Sequence, residues 1–214
     1  MKELGKIIKL AGWAGILAPV IFVLVFTVEG FIRPDYQARS MYISALSLGP
    51  RGWVQIVNFM IFGLLLGFFA WGLASRFRNI RTSRLGIILL WVLSLLFFIS
   101  GPFVMDPAGT PLDASTVHGL IHGIAGGFVF LLMPITIFAF LRLLKINQMR
   151  HFLNTWTIGL GIFEALAVLF FTIVSKNTIL FDSFSGWIGL IQRAALIPFM
   201  LWLFIFAIGI HRKI

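Results

Sequence analysis

From Leu10 to Val28 the chain carries no charged side chain, and the same is true of 53–74, 85–105 and 117–141. At about 1.5 Å of rise per helical residue, each run is long enough to cross about 30 Å of hydrocarbon. Lipid offers no hydrogen bonds to a bare backbone, so such runs must be helices. Two more runs, 152–174 and 187–210, admit one charge each, Glu164 and Arg193. The fold class that follows is all-α, a polytopic integral membrane protein forming one six-helix transmembrane domain over 1–214. Its spans are expected at about 10–28, 53–74, 85–105, 117–141, 152–174 and 187–210. With 60% hydrophobic residues, 11% charged and a mean hydropathy of +1.03, no stretch is left over for a soluble domain.

Orientation follows from the basic residues. Lys2, Lys6 and Lys9, the run RFRNIRTSR (76–84), the stretch from Arg142 to Arg150 and the terminal HRKI all fall on one side of the six spans. The positive-inside rule makes that side cytoplasmic, with both termini there, in a multi-pass protein of the cell membrane. The net charge of +10 is then mainly a topology signal, and no nucleic-acid partner is implied. The first span ends VFTVEGFIRPDY, with no small-x-small cleavage site, and is expected to stay attached as a signal anchor. The chain has no cysteine, which removes disulfides, thiolate metal sites and iron–sulfur clusters. The outer loop 29–53 is rich in aromatic residues and is expected to pack over the bundle.

Polar residues within the spans are costly and therefore informative. Glu29, Gln55, Asn58, Asp106, His118, His122, Gln192 and Arg193 all fall in the outer half, while Glu164 alone lies near a midplane. This asymmetry predicts a polar cavity open to the outside. Glu29, Asn58, Glu164, Gln192 and Arg193 are its candidate ligand-binding residues, with Arg193 the natural anion binder. Glu164 and Arg193 are also expected to meet as an ion pair between the last two spans.

His118 and His122 stand four residues apart, one helical turn, within reach of a single metal ion. The spacing permits zinc, with Asp106, Asp113 or Glu29 to complete the set, but does not require it: interfacial histidines also snorkel to headgroups or hydrogen-bond a neighbouring carbonyl. Haem is disfavoured, because His151 and His211 lie on the cytoplasmic side, away from the pair. Behind the histidines, Gly119, Gly123 and Gly127 recur every fourth residue beside Gly126, a small-residue face expected to receive another helix.

The order GILAP (15–19), RPDY (33–36), SALSLG (44–49), MDP (105–107) and HGLIH (118–122) resembles the six-span bacterial and archaeal membrane family of domain of unknown function 998. That resemblance implies fold and membrane location, with no activity attached. A second, more distant resemblance is to the alkaline ceramidase and progestin/adipoQ receptor superfamily, zinc hydrolases of lipid amides. It implies His118 and His122 as paired ligands, Asp106 as the carboxylate, and Ser44 or Ser47 as the serine. The chain departs from it in having six spans rather than seven, and in offering no third outward-facing histidine. Two functions therefore stand: a protein whose outer cavity binds a lipid headgroup or small ligand, or supports a partner protein, and a zinc hydrolase of lipid at the outer leaflet.

Overall fold

A computed structural model describes residues 2–77, 84–146 and 151–211. Its elements are α1 (Lys2–Ile32), a 3-10 turn (Ile43–Ser47), α2 (Gly52–Arg76), α3 (Arg84–Ile99), α4 (Val117–Ala139), α5 (Leu141–Ile146), α6 (His151–Lys176), α7 (Thr178–Phe184), α8 (Ile188–Ala194) and α9 (Ile197–His211). α1 packs on α2 and α9, α2 on α3, α3 on α4, α4 on α6, and α6 on α9, which closes a ring. Trp202, Phe206, Phe140, Phe69 and Phe199 fill its interior, each fully buried. The outer faces are the reverse of a soluble protein's. Leu24, Ile88, Leu95, Phe128, Phe163 and Leu166 are all exposed, an apolar surface suited to lipid. Among the described residues, five helical segments are long and apolar enough to cross a membrane. The protein is an all-helical, multi-pass membrane protein.

Two expected spans end differently in the structure. The third was expected to run to Met105, but α3 stops at Ile99, because Pro102 disfavours helix in the residue before it and Ser100 Oγ donates to Leu96 O at 2.8 Å. α3 is thus about 24 Å long. The chain then leaves the helix through residues 100–107. The last span is interrupted at Ala195 and Leu196, where Leu196 N–H turns back to Arg193 O at 3.1 Å. Pro198 explains the interruption: without an N–H it suits the first turn of α9 and not the interior of one long helix.

Two glycines of α2 bring α3 close to it. A Cβ on Gly63 would stand 2.7 Å from Ser94 O and Phe98 N, and one on Gly67 would stand 2.7 Å from Ser94 Oγ. The close approach lets Ser94 Oγ donate to Gly63 O at 2.8 Å, joining α3 to α2 deep in the bundle.

Candidate functional site

The strap between α1 and α2, residues 33–51, explains most of the polar residues near its end of the bundle. Arg33 is buried and donates to Leu46 O (2.9 Å) and Leu48 O (3.1 Å), with Asp35 Oδ2 2.7 Å from its Nη2. The Arg33 side chain holds the Asp35 carboxyl below its ordinary range. Buried Glu29 accepts from Arg51 Nη2 at 2.5 Å, so the strap is tied where it leaves α1 and where it enters α2. Its middle is tied to α8. Arg193 donates to Ala38 O (2.7 Å), Met41 O (3.3 Å) and Tyr36 Oη (2.6 Å), while Gln192 Oε1 accepts Ile43 N–H at 2.7 Å. Arg39 O accepts Leu190 N–H at 3.1 Å and so satisfies one of the free donors at the start of α8. Burial pushes the Tyr36 phenol above its usual range, partly offset by Arg193, and the protonated hydroxyl is the donor that Met41 O requires.

This network corrects the expected ion pair. Arg193 is spent on strap carbonyls and Tyr36, and Glu164 is not its partner. Glu164 is fully buried on α6, and neither of its carboxylate oxygens has a hydrogen-bond partner among the described residues. Glu29 is likewise committed to Arg51, and Asn58 donates to Phe22 O (3.1 Å) and Gln55 Oε1 (3.2 Å) within the α1–α2 contact. Ser47 is buried and donates to Ser44 O at 2.6 Å.

Asp106, His118 and His122 lie around the start of α4 but do not form a ligand set. Asp106 accepts from Thr116 N (2.9 Å) and Thr116 Oγ1 (2.7 Å), while Thr116 Oγ1 accepts Gly119 N–H at 3.0 Å. The carboxylate therefore completes the N-cap of α4 and places a negative charge at the positive end of the helix. Gly119 is needed there because a Cβ would collide with that carboxylate. His122 is buried and its Nδ1–H donates to the Phe103 carbonyl at 2.8 Å. His118 is exposed, its ring 5.3 Å from that of Phe103. Among the described residues, no three of His, Cys, Asp and Glu stand where one metal ion could join them. The expected zinc set is thus replaced by a helix cap and a histidine–carbonyl bond.

The glycine face of α4 is the second correction. A Cβ on Gly123, Gly126 or Gly127 would meet nothing within 4 Å. Among the described residues, no helix comes within contact of those three positions. α4 and α6 touch nearer the other end, where a Cβ on Gly161 would stand 2.9 Å from the Phe138 ring, and they diverge toward the strap. Between them opens a cavity of about 880 Å³. Most of its lining is aromatic and aliphatic, including Phe22, Phe59, Phe97, Phe130 and Phe171, and the four α4 glycines form one wall. Polar groups share the lining: Asp106, Ser100, His122, Ser44, Gln192, Ser175 and Lys176. Of the residues singled out in the sequence, Ser44, Asp106, His122 and Gln192 line this space, whereas His118, Ser47, Glu29, Asn58, Glu164 and Arg193 are not among its lining. Thr172, Ser175 and Lys176 were missed. Their spacing from Val168, three or four residues at a time along α6, is the signal that places them on one face.

The family model described as protein of unknown function (DUF998) matches residues 16–209, and the chain belongs to that family. No curated protein and no solved structure matches the chain.

Proposed function

We propose that this member of the DUF998 family binds an amphiphile, a lipid or lipid-like molecule, in the cavity between α4 and α6. The observation that carries the reading is the open glycine face. Gly123, Gly126 and Gly127 meet no helix among the described residues, yet glycine weakens a helix by about 1 kcal/mol relative to alanine, so their use there is explained by the space they leave. The face from Gly119 to Gly127 is about 12 Å long, enough for the upper part of an acyl chain. The cavity volume lies within the usual range of about 300–1,000 Å³ for small-ligand sites. Its mixture of aromatic walls and clustered polar groups suits a molecule that is itself apolar along one part and polar at one end.

In this reading the chain crosses the cell membrane six times, with α3 and the segment 100–103 forming the third crossing and both termini in the cytoplasm. The basic runs at 76–84 and 142–150 support that orientation, which makes the cavity outward-facing. The polar end then lies at headgroup depth in the outer leaflet.

Extraction of lipid from the purified protein tests the proposal. The native chain should retain a stoichiometric lipid through detergent exchange, and Gly123→Leu, which fills the groove, should lose it while remaining folded. Equal retention by both chains would place the lipid elsewhere and overturn the reading.

A further inference from the structure

We infer that the polar end of this cavity selects a phospholipid whose head carries both a phosphate and a primary amine. The inference rests on the amphiphile-binding reading and adds the headgroup class. It starts from two charges. Asp106, from the segment after α3, and Lys176, from the end of α6, both line the cavity. Lys176 makes no hydrogen bond or ion pair among the described residues, and Asp106 makes no ion pair there. Among the described residues Asp106 is bonded by Thr116 alone, and a carboxylate has acceptor sites beyond those two. The lining thus offers one cation and one anion, from different parts of the chain and not paired with each other.

Gln192 supplies an independent observation. It is more than nine-tenths buried and lines the same cavity, and its Oε1 is fixed by Ile43 N–H. That bond identifies the other half of the amide as the donor, and its NH2 group has no hydrogen-bond partner among the described residues. That NH2 is a free donor on a residue that lines the cavity, and a phosphate or ester oxygen would accept from it.

Charge and hydrogen-bonding capacity then sort the heads. A purely anionic head meets Lys176 favourably but also meets the Asp106 carboxylate, a like charge. A quaternary ammonium satisfies the charge of Asp106 and gives it no N–H to accept. A primary ammonium does both, while its phosphate faces Lys176 and the Gln192 amide.

The test uses the full chain, stripped of lipid in detergent and exposed to an equimolar mixture of dioleoyl phosphatidylethanolamine, phosphatidylglycerol and phosphatidylcholine. Bound lipid is read by native mass spectrometry. The ethanolamine lipid should be enriched about fivefold over each of the others, the effect of one partly exposed charge contact. Asp106→Asn should bring it down to the level of the choline lipid, and Lys176→Gln should lower its retention with the α4 cap untouched. Equal retention of all three lipids by the native chain would overturn the headgroup inference and leave the amphiphile reading standing. Retention of none would overturn both. Glycerophosphoethanolamine, the same head without chains, should not compete at equal concentration; displacement of the lipid by it would show a soluble headgroup site instead.

Discussion

At the scale of single residues, the polar groups of this protein divide into those that hold structure and those with unused capacity. Asp106 and Thr116 illustrate the first kind, since the carboxylate holds the hydroxyl that caps α4. Thr116→Val should lower the stability of the detergent-solubilised protein by about 1 kcal/mol, read as a lower melting temperature, because the hydroxyl that caps α4 and bonds Asp106 is lost while the backbone N–H bond to Asp106 remains. An unchanged melting point would mean the cap is idle. Glu164 is a different case: it is fully buried with no ionic or hydrogen-bonding partner among the described residues. Replacing it by Gln removes a group that would be costly if charged, and breaks no ion pair, so Glu164→Gln should melt no lower than the native chain. A clear drop would reveal a partner that must be a charge. The sequence made both acids conspicuous but could not tell a cap from an ion pair. Asp106 finds Thr116 ten residues later in a non-helical turn, and Arg193 is drawn to carbonyls of the strap, which no helical spacing encodes.

Among the elements, small residues recur on both α2 and α4, and they serve opposite ends. Gly63 and Gly67 let α3 come close, whereas Gly123, Gly126 and Gly127 face open space. Gly63→Leu should therefore destabilise the bundle by about 1–3 kcal/mol through overpacking, while Gly123→Leu, compared with the native chain after both are stripped of lipid, should leave the melting temperature within error. Equal losses from the two would mean that the α4 face is covered by a helix after all. Sequence spacing alone misassigned this pair because lipid and helix surfaces are equally apolar, so periodic glycines do not say which of the two they face. The breaks in α3 and in the last span were more legible. Pro102 and Pro198 mark them, although both lie within runs whose hydropathy argues for continuous spans.

For the whole molecule, the apolar runs carried the architecture: the long helices lie on those runs, apart from the early end of α3 and the division between α8 and α9, while α5, α7 and the first turns of α1 lie outside them. What the runs do not contain is the ring order or the divergence of α4 from α6, since these depend on which faces meet. The proposed orientation has its own check. A reporter active only in the cytoplasm should work when fused after Arg84 or at Ile214 and fail when fused after Asp113. Activity at the Asp113 fusion would reverse the orientation and turn the cavity toward the cytoplasm.

The strap also has a bearing on how the chain is made. Its carbonyls and Ile43 N–H are held by Gln192 and Arg193, and by Leu190 N–H, all near the end of the sequence. During synthesis the first hairpin leaves the ribosome long before these partners exist. Until α8 arrives, the middle of the strap has only its own bonds from Arg33 and Tyr36, and one border of the cavity, at Ile43 and Ser44, lacks its partner in Gln192. Synthesis of the last helices is therefore also the event that finishes the first loop, and a chain cut short before Gly189 would expose an unsatisfied strap that quality-control proteases could recognise.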